Sequence, residues 1–534
     1  PPEPAGAAAL DRLRPRRLNA ERKGPWNRDD PPVLANQMTA AAERRAASPL
    51  AVGAAAPTDG GAHDEPSVAH SERAASSDRT WSTEPSLTRR VVIVGGGFGG
   101  VTLAKRLRGV KGLKVTLLSE QNYTTFSPML PEVVSATVLP GQVIAPLRQM
   151  LGRDQRFVMG RVTGIDVDGG RLSYEVGGER HALDFDHCVL ALGARAKPGL
   201  IPGMAEHGIP LKLIGDAARI RNHVIAALER ADQESDPAAR RRLTRFVVVG
   251  GGFSGVEVAG EIHDFVHAAA RFYPNVDAAE LGVAVVHTGE RLLPELPAKL
   301  AHKAADSMAA RGIDLHLGAR ATAADAGGLT IARADGAEAY LEAATLVATI
   351  GTAANPVIDA LDVPKDGGRV VTRGDLAVAG KRGLWALGDC ARVPNAATGG
   401  PAPPTAQFAV RQADTLARNL VATERGGTTR AFDFAGLGTI ATIGSQRGIA
   451  DVMGVPVTGF PAWLLWRGFY LLQMPTLSRK LRLWVAWTWD MLFASDVSQL
   501  DFTASDEVDA QRRVPGMRPA GRLRRAHASA EADG

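Results

Sequence analysis

Gly95, Gly97 and Gly100 stand in the run RRVVIVGGGFGGVTLAKRL, Arg89 to Leu107, and their spacing suits the cradling of a pyrophosphate. In a strand–turn–helix unit the first glycine permits a tight turn. The second lets a phosphate approach the backbone, and the third lets the helix pack close on the strand. The helix start adds free N–H groups and the positive end of its dipole. Four apolar residues precede the turn, and Val101, Leu103, Ala104 and Leu107 follow it with the period of a helix. A second β run, LKVTLLSE, ends on Glu120, where an acid can accept the ribose hydroxyls of a bound adenosine.

The device recurs 155 residues later as RFVVVGGGFSGVEVAGEI, with Gly250, Gly252 and Gly255 in the same spacing. The strand that follows, VAVVHTGERLLP, puts His287 at the expected ribose position and Glu290 three residues on. An acid repels a 2′-phosphate whereas a histidine does not; with Glu290 near and no Arg immediately at the strand end, NADH is favoured over NADPH. Glu257, in the first turn of the second helix, is a candidate nicotinamide-side contact, and the alternative is an acid that complements the helix dipole.

Two such units imply two dinucleotides or the relic of a gene duplication, and the simplest use of two dinucleotides is hydride passage from a nicotinamide to a flavin. Gly193 ends the apolar strand of FDHCVLALGARAKPG, and Gly351 ends the comparable strand of LEAATLVATIGTAANP. In GKRGLWALGDCARVP, Gly388 and Asp389 follow a strand directly, so Asp389 can accept a ribityl hydroxyl or cap a helix.

The elements that must hold these residues are parallel strands with helices on both faces, an α/β fold of two Rossmann-like dinucleotide-binding units. The chain has 534 residues with 45% hydrophobic content, enough for about three domains. Its 62 basic and 57 acidic residues give a net charge of +5, too mild to imply nucleic acid. Cys188 and Cys390 are the only cysteines and lie far apart. A disulfide framework, a redox dithiol and a thiolate metal site are therefore unsupported, and no metal is expected.

Residues 1–88, rich in Ala, Pro, Arg and Ser, read as a disordered extension, and residues 504–534 as a disordered tail. The first stretch lacks the apolar core of a secretory signal and carries twelve acidic residues, which argues against a mitochondrial transit peptide. The chain is accordingly expected on the cytoplasmic side.

From about Arg89 to Gln499 the chain resembles the type II NADH:quinone oxidoreductases. The resemblance rests on GGGFGG, NYTTFSPMLPEVVSATVLPGQVIAPLR, LKLIGDAARIRNHVIAALERA, GGGFSGVEVAGEI, LWALGDC and PPTAQFAVRQA. It implies FAD on Gly95, Gly97, Gly100, Glu120, Gly193, Gly388, Asp389, Ala406 and Gln407, and NADH on Gly250, Gly252, Gly255, Glu257 and Gly351. Glu257 and Gln407 would serve catalysis. The family's quinone element is here Ala406, Gln407 and then Arg411, where a second glutamine is common; Gln412 would point about 100° away on a helix. The implied reaction is NADH oxidation with two-electron reduction of a membrane quinone, without proton pumping. A soluble ferredoxin or rubredoxin reductase, and a silent NADH-binding redox sensor, are the alternatives.

The expected order is a first flavin part over 89–238, an NADH domain over 239–372, a second flavin part over 373–430 and a membrane-associating region over 431–503. No charge-free apolar run reaches the roughly 20 residues of a helical span. Five of the eight tryptophans instead crowd into FPAWLLWRGFYLLQMPTLSRKLRLWVAWTWD beside Arg467, Arg479, Lys480 and Arg482. That composition suits amphipathic helices at a lipid surface, with residues 460–495 resting on the cytoplasmic face of the cytoplasmic membrane, and core packing is the alternative. The pattern leaves room for a homodimer.

Overall fold

The structure is a computed structural model that describes residues 88–493 and 496–500. The extension expected over 1–88, apart from residue 88, and the tail expected over 504–534 lie outside the described residues.

Strand β1 (Arg89–Val94), helix α1 (Phe98–Arg106) and strand β2 (Leu113–Ser119) form the first glycine unit. The short helix α2 (Leu130–Val134) and strands β3 (Arg156–Met159) and β4 (His187–Leu190) follow. Next come β5 (Gly208–Pro210), the long helix α3 (Ile214–Gln233), β6 (Arg245–Val249), α4 (Phe253–Ala269), β7 (Gly282–His287), β8 (Asp314–Leu317) and β9 (Thr345–Ala348). The chain then makes β10 (Leu384–Ala386) and α5 (Ala406–Glu424).

Two five-stranded sheets result, in the orders β10-β4-β1-β2-β3 and β5-β9-β6-β7-β8, and every pairing in both is parallel. In each, the glycine-unit strand is central and reads apolar throughout, Val91–Val94 in one and Phe246–Val249 in the other, as expected for strands covered on both faces. Each sheet also carries a three-stranded antiparallel insert in the same place, just before its last central neighbour: 161–184 precedes β4, and 320–342 precedes β9. The first sheet is completed by β10, which follows the whole second sheet in the chain and pairs with β4.

Beyond α5 an antiparallel meander of β11 (Thr439–Thr442), β12 (Gly448–Val452) and β13 (Val455–Gly459) leads into α6 (Phe460–Gln473) and α7 (Leu477–Leu492). No helix among the described residues is long and apolar enough to cross a membrane. The core under α3 and α4 takes in Trp466, Leu483 and Trp487, so the C-terminal hairpin is packed onto the body of the protein.

Candidate functional site

Both glycine turns are built alike. Gly95 has φ +118° and Gly250 has φ +122°, a region in which a side chain would be strained. Their N–H groups donate to the neighbouring strand, to Leu118 O and Val286 O, each at 2.8 Å. A Cβ on Gly100 would strike the Gly95 carbonyl, and one on Gly255 would strike the Gly250 carbonyl. The middle glycines differ: a Cβ on Gly97 or Gly252 would meet nothing within 4 Å. What a side chain there would fill is open space above the helix start, the room a pyrophosphate needs.

The first turn borders a cavity lined by Ser119, Glu120, Arg161, Leu192, Arg195 and Asn355 together with Gly95. Glu120 faces it in an ion pair of 3.6 Å with Arg195, a neighbour that sequence reading did not single out. At the second turn the Gly251 N–H donates to Nδ1 of His287 at 3.2 Å, and burial holds that imidazole below its usual pKa. His287 thus braces the turn, while Glu290 stays exposed. Arg291 is bent onto the Pro294 carbonyl at 3.1 Å.

Gly193, Gly351 and Gly388 have φ of +64°, +72° and +73°, each just past the end of a parallel strand. The Gly388 N–H donates to Oε1 of Gln412 at 2.7 Å, and Gln412 is buried. Its orientation away from Arg411 gives it this task. Beside it, burial raises the Asp389 carboxyl above its usual pKa against the opposing charge of Lys212, whose Nζ stands 3.6 Å from Oδ2. Arg369, close enough to act on Asp389, has a buried Nη1 without a partner. Open glycine cradles on two turns and an orphaned buried guanidinium nitrogen beside the acid are what a bound FAD and a nicotinamide dinucleotide would satisfy. The residues present fit both.

Both cysteines are buried, and burial pushes the Cys188 thiol up to about 12 and the Cys390 thiol up to about 11. Neither is a nucleophile at neutral pH. Ala406 and Gln407 open α5, and Oε1 of Gln407 accepts the Leu437 N–H at 3.3 Å. Arg411, one turn on, is exposed, 3.7 Å from Asp414 and stacked 5.5 Å from the Phe434 ring.

Glu257 does not stand on an open helix end. It is buried, accepts the Thr442 N–H at 3.3 Å, and has the Trp466 indole N–H turned toward it without a closed hydrogen bond. Burial raises its pKa to about 8, with Glu261 adding to the rise. Glu261 lies one turn on and is likewise raised to about 8 by burial, and Glu132 of α2 is raised to about 7 by burial despite help from Arg467 and Trp487. The Trp487 indole N–H donates to Glu132 Oε2 at 2.8 Å. Arg467 lies 3.9 Å over the Trp463 ring and 4.9 Å over the Trp487 ring, with Asp490 at 3.6 Å. This cluster of Glu132, Glu261, Arg467 and Asp490 was missed in the sequence as a group. Its one visible sign was a pair of glutamates four apart in the apolar helix VEVAGEI.

The tryptophan-rich hairpin divides its residues between two faces. Trp463, Trp466 and Trp487 are buried and belong to the core, while Trp484 and Trp489 are exposed at 56% and 61%. Arg467 is buried as well, Lys480 donates to the Leu472 carbonyl at the end of α6, and Arg479 to the Gly141 carbonyl. Of the four expected interfacial cations only Arg482 is exposed, while Arg479 and Lys480 are half-buried. Outward instead point Leu464, Leu465, Leu472, Leu477, Leu481 and Leu492, each at least 46% exposed. Inward, edge-to-face rings connect the first glycine turn to the hairpin: Phe98 to Phe126 at 5.5 Å and Phe126 to Tyr470 at 5.6 Å.

Residues 89–413 match the pyridine nucleotide-disulphide oxidoreductase family. Type II NADH:quinone oxidoreductase Ndh of Mycobacterium tuberculosis is 30% identical over 419 residues, covering 76% of this chain and 89% of that protein. Its counterpart in Staphylococcus aureus is 26% identical over 70% of this chain and 91% of its own length. In fold the chain is similar to NDH2 of Plasmodium falciparum, solved in complex with NADH, with a TM-score of 0.73 at 18% identity over 77% of this chain and 100% of that one. It is more distantly similar to the sulfide:quinone oxidoreductase of Aquifex aeolicus, with a TM-score of 0.58 at 17% identity over 75% and 92% of the two chains. Two parallel sheets, two open glycine cradles and these similarities agree: the chain belongs to the pyridine nucleotide-disulphide oxidoreductase family and, within it, to the type II NADH:quinone oxidoreductases.

Proposed function

We propose that this flavoprotein oxidises NADH and passes two electrons to a quinone that reaches it from a lipid surface, without pumping protons. The observation that carries the reading is the α6–α7 hairpin, whose outer face is apolar and exposed while its inner face turns Trp466 and Tyr470 toward Glu257 on the second glycine helix. An exposed apolar face of this kind needs a cover, and lipid is the solvent in which quinones are dissolved.

FAD, the cofactor of this family, supplies when bound a two-electron carrier between the two substrates. The rest is positioning by the chain. In this reading the first cradle, Glu120, Gly193 and the Gly388–Asp389 turn hold the flavin, and Gly250, Gly252, Gly255 and Gly351 hold NADH. Glu257 lies on the nicotinamide side, and Gln407 and Arg411 stand at the quinone side on one face of α5. The bent Arg291 and the exposed Glu290 favour NADH over NADPH. Attachment is peripheral, through 460–495, on the cytoplasmic face. The test is spectroscopic: NADH must bleach the flavin of the purified protein and a short-chain quinone must restore it. A protein that bleaches and stays bleached with quinone, or that binds no flavin, overturns the reading.

A further inference from the structure

We infer that Arg221 is a positioning residue for the acceptor side of the enzyme, acting through a C-terminal strap that it clasps. The inward stripe of α3 reads Ala217, Ile220, Arg221, Val224, Ile225 and Leu228, an arginine set among small and aliphatic residues. Its side chain is 0% exposed. A guanidinium in such a place is costly unless its donors are met, and here Nε and Nη1 have no partner. What it holds is the Asp496–Ser498 part of a single segment, Asp496–Leu500. Nη2 donates to the Asp496 carbonyl at 3.3 Å and the Ser498 carbonyl at 3.2 Å, with the Asp496 carboxylate 3.9 Å away.

Next to it, Asn222 pairs with Leu500 in both directions, Nδ2 to the carbonyl at 3.1 Å and the Leu500 N–H to Oδ1 at 3.0 Å. Val497 packs against the same core as Trp466 and Trp487. The strap begins four residues after α7 ends, so holding it limits how far the C-terminal end of that helix can move. α7 in turn presents Trp487 and Asp490, the groups that keep Arg467 in its slot and α6 against Glu132. The retained cost at Arg221 thus has a use: a buried cation grips a peptide that an aliphatic residue could not grip. The consequence for quinone rests on the function proposed above, whereas the clasp itself does not.

The test uses the full-length holoenzyme carrying Arg221→Met, an unbranched apolar change that removes the guanidinium. Hydrogen exchange of peptides from 477–492 and 496–500 should rise roughly tenfold. The KM for a short-chain quinone should rise roughly fivefold, with flavin content and NADH-driven ferricyanide reduction unchanged. Arg221→Lys should restore part of the protection. A chain stopped after Phe493 should reproduce Arg221→Met, and one stopped after Leu500 should match the parent. Unchanged exchange in Arg221→Met overturns the clasp. So does joint loss of flavin and both activities in Arg221→Met and in the shorter truncation, because the pair would then hold the whole fold. Raised exchange in a protein whose parent reduces no quinone keeps the clasp and removes the quinone reading instead.

Discussion

At the scale of single residues, the buried acids decide how the protein responds to pH. Glu132, Glu257 and Glu261 have folded-state pKa values of about 7, 8 and 8, all raised by burial, so the fold prefers their protonated forms. The stability they give is full below the ordinary carboxyl value near 4.5 and is lost as the pH rises toward about 8. Glu257→Gln, a neutral isostere, should therefore raise Tm at pH 8 by roughly 2–4 °C and leave it unchanged at pH 5, as read by thermal unfolding. Equal shifts at both values would mean that Glu257 is not held protonated. Gln412 offers a second check. Its Oε1 is the acceptor for Gly388 N–H, so Gln412→Leu leaves a turn donor unmet, at a cost of about 1–3 kcal/mol. Flavin should then be released faster on dilution, followed by its fluorescence. Little of this was legible beforehand. The sequence pattern put Gln412 out of line with Gln407, which was right about direction and silent about what lay there. It offered Glu257 as a first-turn acid, on the nicotinamide side or complementing the helix dipole, because burial by a meander and a hairpin some two hundred residues away leaves no local trace.

At the scale of elements, the two strand–glycine–helix units were the most legible part of the chain, since each depends on neighbours in sequence: apolar strand, fixed glycine spacing, helical period. Their geometry yields a paired test. Gly252→Ala adds a methyl group where nothing lies within 4 Å, so the fold and bound flavin should persist while the KM for NADH rises roughly tenfold. Gly255→Ala places the same methyl group against the Gly250 carbonyl and should lower Tm and yield instead. Identical effects of the two changes on stability would contradict the assignment of Gly252 to ligand space. The hairpin was only half legible. An amphipathic helix has the same composition whether its apolar stripe meets protein or lipid, so the sequence could not tell that Trp463, Trp466 and Trp487 face inward and Trp484 and Trp489 outward. The basic residues were misleading for a related reason: Lys480 and Arg479 satisfy carbonyls, one of them at the end of a helix, where cations are favoured.

At the scale of the whole molecule, more than half of the large hydrophobic residues exposed among the described residues fall on α6 and α7 and the residue after them. Leu481→Glu with Trp484→Glu, at positions 57% and 56% exposed, should weaken binding to lipid vesicles roughly tenfold or more and leave Tm unchanged, as measured by flotation and thermal unfolding. Undiminished vesicle binding would remove the lipid role of this face. The place of β10 carries a different consequence, one for synthesis. Its partner β4 is made some two hundred residues earlier, and every strand of the second sheet is made in between. As the chain leaves the ribosome, the second sheet has all its strands while the first still lacks its edge, so the inserted unit can fold first and the unit proposed to hold flavin only afterwards. The residues that close the first sheet, Leu384–Ala386, run into the Gly388–Asp389 turn, which makes completion of the sheet and completion of the proposed flavin cradle a single late event. Flavin capture during synthesis should accordingly wait for the second half of the chain, and fragments that stop short of residue 390 should emerge without it.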